Sequence, residues 1–142
     1  KNRIIFAKRL PLENHLERIK FGDLFLDTFP YSAHTTCSDA LRVGLPVLTL
    51  IGNSFASRVA SSLLNTLNLE ELVSKNIDEY EMIANKIVND TKYFKKIKNK
   101  LKENLCNSPL YDAQLFTKNL ERGYQKIFQN YKNNQTLKNF EI

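Results

Sequence analysis

The chain has 142 residues, 42% of them hydrophobic and 11% aromatic, and it carries a formal net charge of +6. This length suits one domain with a modest core. The apolar fraction excludes an intrinsically disordered chain, and no apolar run approaches the roughly 18 residues that indicate a membrane-spanning helix. We therefore expect no membrane partner.

The charge and the cysteines are unevenly distributed. Residues 92–142 hold eleven Lys or Arg and four Asp or Glu, a net +7, whereas residues 1–91 hold ten and eleven, a net −1. Cys37 and Cys106 are far apart and match no metal-ligand spacing, which favours reduced thiols in a cytoplasmic protein and a packing role for Cys37. The first residue is not Met, so we expect a fragment of a longer protein.

The first stretch predicts a strand and a helix. Residues 2–7 contain the apolar, β-branched run IIF, which is typical of a buried strand. Apolar residues at helical spacing then predict a helix over residues 12–21. His15 and Arg18 lie three positions apart and so share one side of this helix. They can be surface residues, or they can contact a base and its phosphates.

The next stretch reads as strand, loop, helix and strand, the unit that builds parallel sheets. The apolar run in residues 23–27 predicts a strand covered by helices on both faces. After a loop, Thr35 or Thr36 can cap a helix that stops at Gly44. Residues 47–50 are predicted to form the following strand.

The loop in this unit joins the carboxyl end of a strand to the amino end of a helix. Free backbone N–H groups and the helix dipole favour an anion there. His34, Thr35 and Thr36 add side-chain donors, and Asp39, one turn further on, can accept from a sugar hydroxyl. The alternative is that Thr and Asp are ordinary capping residues and that His34 is a surface residue.

A second loop and helix follow. Asn53 or Ser54 can cap a helix over residues 55–68. Arg58 falls in its first turn, where a cation opposes the helix dipole and needs compensation. An acidic partner or a ligand phosphate could supply it, and we expect the salt bridge.

The remaining chain is predicted to be mainly helical. The lysines of the helix predicted over residues 92–105 have no interleaved aromatic residues. This pattern favours a solvated helix face and no nucleic acid partner. The whole pattern predicts a doubly wound α/β fold with a ligand crevice at the carboxyl ends of its strands. The predicted elements are an edge strand at residues 72–74, helices at 77–89, 92–105 and 113–131, and a polar tail from 130.

The string DLFLDTFPYSAHTTCSDALRVGLPVLTL, followed by GNSFASRVASSLL, resembles the O-linked N-acetylglucosamine (O-GlcNAc) transferase family, including its SPINDLY type. These are nucleotide-sugar glycosyltransferases, many of them with tetratricopeptide repeats. The resemblance implies a Rossmann-like parallel sheet with flanking helices, part of the C-terminal lobe of a GT-B glycosyltransferase. Residues 1–129 would form that lobe, truncated on its N-terminal side, and residues 130–142 a frayed tail. The N-terminal lobe and the repeat array of the same protein would be its partners.

The resemblance also implies a donor, UDP-N-acetylglucosamine, bound without a metal or another cofactor. His15 and Arg18 would contact the uracil. The diphosphate would be held by His34, Thr35 and Thr36, and the ribose by Asp39. Leu12 stands where eukaryotic members place a Lys that touches the ribose, which is a departure from the family pattern. The implied nucleotide-sugar-binding residues are His15, Arg18, His34, Thr35, Thr36 and Asp39.

By the same resemblance, N-acetylglucosamine would pass to Ser or Thr of an acceptor protein. We assign no catalytic residue to this chain, since the base should come from outside it. Related families transfer glucose to Asn or fucose to Ser and Thr, and these donors stay open. The alternative outside the enzyme class is a non-catalytic remnant lobe that serves as an interaction module.

Overall fold

The computed structural model describes residues 3–136 and 138–141 and divides the chain into two compact units, one up to Asn107 and one from Ser108. The first unit contains a sheet of three short parallel strands in the order β1-β2-β3. Phe25 lies opposite Val47, and Thr49 lies opposite Val73. The strands are β1 (Phe25–Leu26), β2 (Val47–Leu50) and β3 (Val73–Ser74).

Helices flank this sheet, so the predicted α/β class with a parallel sheet is confirmed. Within the described residues, α1 to α5 belong to the first unit and α6 to the second. Single turns of 3-10 helix lie at Phe55–Ser57, Glu70–Leu72 and Pro109–Tyr111. The α-helices are α1 (Leu12–Ile19), α2 (Thr35–Arg42), α3 (Val59–Thr66), α4 (Ile77–Asn89), α5 (Thr91–Asn107) and α6 (Ala113–Lys132).

The core of the first unit surrounds β2, which α2, α3 and α4 all contact. Leu48 of β2 is fully buried. Burial of each such Leu side chain stabilises the fold by about 1.5–3 kcal/mol. The other large side chains with no exposed surface include Leu41, Leu64, Leu67, Leu72, Ile97 and Leu101.

Helix α2 ends as predicted. Gly44 has φ +83°, in the left-handed region that other residues rarely adopt. The Gly44 N–H donates to the Leu41 carbonyl and the Leu45 N–H to the Ala40 carbonyl, both at 2.9 Å. These two bonds satisfy helix-terminal carbonyls and turn the chain into β2.

The predicted N-terminal strand is wrong. The described part of it, from residue 3, is irregular, and Ile4, Ile5 and Phe6 are 74%, 87% and 94% exposed. Residue 2 lies outside the described residues. A strand needs a neighbour to accept its backbone hydrogen bonds, and no strand of the described chain pairs with this segment.

The expectation that both faces of β1 are covered is also wrong. β1 is a two-residue strand at the sheet edge, and Leu26 is 56% exposed. The apolar run predicted the strand correctly, but sequence alone did not indicate how many helices cover it.

The predicted helix over residues 55–68 is divided into two. Ser54 caps it as predicted: its hydroxyl accepts from the Ser57 N–H, and the Ser57 hydroxyl lies 3.1 Å from the Ser54 nitrogen. This reciprocal box closes a single 3-10 turn. The α-helix itself begins at Val59.

The later helices match the predictions within two residues at each end. Helix α6 continues to Lys132, past the predicted start of the tail, and the assignment of domains stays a prediction. The predicted edge strand is confirmed as β3. In the part of the chain that the structure describes, no helix is long and apolar enough to cross a membrane.

The lysines of α5 are partly engaged within the protein. Lys100 forms an ion pair with Glu71, with Nζ 2.7 Å from Oε1. Lys95, Lys98 and Lys102 line a groove of about 620 Å³ together with Arg42. The rest of this helix face is solvated as predicted.

Candidate functional site

The loop after β1 leads directly into the amino end of α2. His34 occupies the capping position with φ −104° and ψ −91°, and no side chain caps this end of the helix. The prediction that Thr35 or Thr36 caps it is therefore wrong: both lie inside the first turn and are exposed. An uncapped first turn presents backbone N–H groups and the positive end of the helix dipole.

Three side chains at this helix start have no partner among the residues that the structure describes. Among the described residues, the Thr35 and Thr36 hydroxyls and the Asp39 carboxylate make no hydrogen bond or ion pair. Asp39 is half-buried. Polar groups removed from water are normally paired, so Asp39 is suited to accept a hydrogen bond from a ligand.

His34 is fixed by two aromatic rings and a carbonyl. Its Nε2 lies 3.3 Å from the Ala56 oxygen. A carbonyl only accepts, so Nε2 carries the proton and Nδ1 is the free ring nitrogen. Tyr31 stacks on the imidazole at 4.8 Å between centroids, and Phe55 meets it edge-on at 5.9 Å.

The loops after β1 and β2 are joined to one another. The Ser32 N–H and hydroxyl both donate to the Ala56 carbonyl, at 2.9 and 2.8 Å. Gly52 leaves no room for a side chain, because a Cβ there would overlap the Ser57 side chain and come within 3.1 Å of Phe29 in the loop after β1. Parallel strands bring these two loops to one edge of the sheet.

His15 and Arg18 form a second group on α1. Arg18 Nη2 lies 3.0 Å from His15 Nδ1, and because a guanidinium only donates, Nδ1 is the accepting nitrogen of a neutral imidazole. Arg18 Nη1 also donates to the Lys8 carbonyl at 2.8 Å. The pair lines a cavity of about 490 Å³ whose other lining residues include Lys8, Arg9 and Leu12, so three cationic residues share this surface.

The six predicted residues thus form two groups. One comprises His34, Thr35, Thr36 and Asp39 at the start of α2, and the other comprises His15 and Arg18. Helix α1 contacts α2, so the helices that carry the two groups are neighbours in the first unit.

Arg58 does not form the predicted salt bridge. It makes no ion pair within the described residues, and it lies between the 3-10 turn and α3 rather than inside a continuous helix. Its exposed side chain lines a cavity of about 490 Å³ that also includes Ile51 and Phe55. The ligand-phosphate alternative stays a prediction.

Cys37 has the predicted packing role. It is fully buried, and burial, with a smaller contribution from the Asp27 charge, raises the pKa of its thiol to about 12. A thiol with so high a pKa is a poor nucleophile near neutral pH. In the described chain no three His, Cys, Asp or Glu residues could together hold a metal ion, and metal independence stays a prediction.

The sequence interpretation missed Asp27, Ser32 and Thr49. All three are buried polar residues, and they hold the loop that carries His34. One available signal was Asp27 itself, an acidic residue at the carboxyl end of an apolar strand, where ligand-site residues of parallel sheets gather.

A family model described as glycosyl transferase family 41 matches residues 1–120. The chain belongs to glycosyl transferase family 41. A probable UDP-N-acetylglucosamine–peptide N-acetylglucosaminyltransferase SPINDLY of Petunia hybrida is 36% identical over 118 residues, which are 83% of this chain and 13% of the relative. The UDP-N-acetylglucosamine–peptide N-acetylglucosaminyltransferase of Caenorhabditis elegans is 31% identical over 136 residues, 96% of this chain and 12% of that protein.

A solved structure agrees with these sequences. A mutant of the Thermobaculum terrenum O-GlcNAc transferase matches with a TM-score of 0.76 and 36% identity, over 85% of this chain and 23% of that one. The resemblance and the fold it implied, part of a GT-B catalytic region, are thereby confirmed. The family 41 chain spans about 13% of the length of its curated plant relative.

Proposed function

We propose that this chain forms the donor-binding part of a family 41 enzyme that transfers N-acetylglucosamine from UDP-N-acetylglucosamine to Ser or Thr of proteins. The observation that carries the proposal is the uncapped start of α2, beside which Thr35, Thr36 and Asp39 have no side-chain partner in the described part of the chain. The names of the relatives supply the donor and the peptide acceptor.

The start of α2 has the chemistry that a diphosphate requires. Its backbone N–H groups, the helix dipole and the two Thr hydroxyls all favour negative charge. As the glycosidic bond breaks, negative charge grows on the leaving UDP, so donors fixed in advance stabilise the transition state more than the ground state. The free Nδ1 of His34 would face this charge as a donor only in the imidazolium form, since Nε2 is bonded to Ala56.

The remaining contacts would hold the nucleoside. Asp39 would accept from a ribose hydroxyl, a hydrogen bond to a charged acceptor. His15 and Arg18, already paired on α1, would contact the uracil. Leu12 lines the same cavity as this pair, so the cavity has no ammonium group at that position. Lys8 and Arg9, which precede Leu12 closely in sequence, line the cavity as well.

The base that activates the acceptor hydroxyl would come from another part of the protein. No side chain in the proposed donor site of this chain is assigned that role. The family 41 N-terminal lobe and any repeat array would provide the acceptor surface, and we expect the 142 residues alone not to transfer sugar.

The test is calorimetric titration of the full-length protein with UDP, alongside transfer of N-acetylglucosamine to a Ser/Thr peptide. Asp39→Ala should weaken UDP binding by about 1.5–3 kcal/mol, the range for a hydrogen bond to a charged group. Thr35→Ala and Thr36→Ala should each cost less, because the backbone N–H groups would still meet the phosphate. His34→Ala should lower kcat more than it raises KM.

The control is Asp78→Ala, which removes an exposed carboxylate from the first turn of α4. UDP should bind this variant as tightly as the parent. Equal UDP affinity in Asp39→Ala, Asp78→Ala and the parent would contradict the proposed donor site.

A further inference from the structure

Asp27 is a buried carboxylate at the end of β1, with 7% of its surface exposed. Its Oδ1 accepts from the Thr28 N–H at 2.8 Å and from the Ala33 N–H at 2.7 Å. Its Oδ2 accepts from the Thr49 hydroxyl at 2.7 Å. One side chain therefore binds both ends of the loop after β1 and joins them to β2.

The backbone of Asp27 is held as well. The Tyr80 hydroxyl of α4 donates to the Asp27 carbonyl at 2.9 Å, and the Asp27 N–H donates to the Leu48 carbonyl at 2.9 Å. Asp27 is thus fixed by β2 and α4, and the Ala33 amide that it binds directly precedes His34. A displacement of Ala33 would carry His34 and the first turn of α2 with it.

A carboxylate fits this place better than a neutral side chain. Both of its oxygens only accept, so all three donors are satisfied at once. Its charge is a disadvantage for an anion site, and this charge reaches the start of α2, where Asp27 contributes to the raised pKa of the Cys37 thiol. A carboxylate behind a phosphate site favours binding only if the affinity gained from the fixed loop geometry exceeds the affinity lost to charge repulsion.

We propose that Asp27 is a positioning residue of the donor site, whose carboxylate fixes the loop of residues 28–33 and thereby sets His34 and the first turn of α2 for a diphosphate. This inference rests on the proposed function for its ligand. The hydrogen bonds that carry it belong to the free protein, so the loop can be tested with and without UDP.

The experiment compares Asp27→Ala with Asp27→Asn in the full-length protein. The Asn amide oxygen can still accept from both loop N–H groups, whereas Ala removes every acceptor. We expect Asp27→Ala to bind UDP at least about tenfold more weakly, because a loop that is no longer held must be ordered when the ligand binds. Asp27→Asn should bind within about threefold of the parent, or more tightly, since it keeps the geometry and removes the repelling charge.

A second readout needs no ligand. Hydrogen–deuterium exchange, measured by mass spectrometry on the peptide that spans residues 28–34, should become faster in Asp27→Ala and stay unchanged in Asp27→Asn. The matched controls are Asp78→Ala and Asp78→Asn on the exposed start of α4, and both should leave exchange and UDP affinity unchanged. If the parent does not bind UDP, the proposed function fails, whereas exchange still decides whether Asp27 holds the loop.

Two results would overturn the inference. One is a folded Asp27→Ala that binds UDP and exchanges like the parent. The other is equal weakening in Asp27→Ala and Asp27→Asn, which would assign the effect to charge. If Asp27→Ala does not fold, Asp27→Ser replaces it, because one shorter hydroxyl cannot accept from all three donors of the carboxylate, with Asp78→Ser as the matched control. Unchanged exchange and UDP affinity in Asp27→Ser would then overturn the inference.

Discussion

His34 and the first turn of α2 are held by buried polar contacts, whereas His15 and Arg18 stand on a helix that has no buried residue. Behind the first group lie Asp27, Ser32 and the strand β2. Behind the second group lies a segment of irregular, exposed backbone. Both groups are predicted to touch the same nucleotide.

The difference indicates how each group could bind a ligand. Residues fixed in advance lose little freedom on binding and can act on a developing charge, which suits the diphosphate end. A cationic pair on an exposed helix can still attract and orient a base, but its order would come partly from the ligand or from another part of the protein. Mutations behind the first group should therefore be transmitted to the site.

The largest expected effect is in the core beneath the first group. Leu48→Ala should lower the free energy of unfolding of the chain by about 2–5 kcal/mol, because it removes a fully buried side chain and leaves a cavity. Phe6→Ala, at a side chain that is 94% exposed, should change it by about 0.5 kcal/mol or less. Urea unfolding measures both, and similar losses would contradict the comparison.

The next effect tests the joint between the two loops. Ser32→Ala should lower the free energy of unfolding by about 1–3 kcal/mol. The change removes a buried hydroxyl that donates to the Ala56 carbonyl, and it leaves the Ala60 N–H without that acceptor. Ser62→Ala, on the exposed side of α3, is the matched control and should cost little. The measurement is again urea unfolding, and an equal cost in both variants would show that the loop joint adds no stability.

Much of the fold followed from local patterns. The strand–loop–helix–strand unit, the stop at Gly44 and the cap at Ser54 depend on residues close together in the chain, and the structure contains all of them. Local sequence carries this information because turn and cap chemistry is decided within a few residues.

Other features depended on distant residues and were missed. The IIF run has strand propensity but no partner strand in the described chain, and pairing is a long-range property. Asp27 meets Thr49 across 22 positions and Tyr80 across 53. No periodicity in the sequence predicts such contacts. The contact between Asp27 and Thr49 could have been suggested by the expectation that the strands carrying them are neighbours in a parallel sheet.

An intermediate effect concerns pH. The pKa of Cys37 is raised to about 12 by burial and by Asp27, so above an ordinary thiol pKa of about 8.5 the unfolded chain loses its proton first. The contribution of the protonated Cys37 thiol to the free energy of unfolding is complete below about pH 8.5. It is lost as pH rises toward 12, at about 1.4 kcal/mol per pH unit. Cys37→Ala should flatten the fall of unfolding free energy with pH between about 9 and 11.

The control for this titration is Cys106→Ala, at an exposed thiol. It should leave the slope unchanged. Burial and Asp27 also raise the pKa of Tyr80, so part of the slope should persist in Cys37→Ala. An unaltered slope in Cys37→Ala would show that the buried start of α2 opens to solvent before the protein unfolds.

The smallest effect on stability is expected in the second group. Arg18→Ala should change the free energy of unfolding by about 0.5 kcal/mol or less, because its bonds to Lys8 and His15 lie near solvent, which replaces them. UDP affinity should nevertheless fall, since a cation that orients the base is lost, and Arg18→Lys should restore it only in part because Lys lacks the planar fork. Urea unfolding and UDP titration on the same variants separate the two effects. A loss of more than about 2 kcal/mol in stability would show that α1 is as firmly held as α2, and unchanged UDP affinity would assign His15 and Arg18 to the surface.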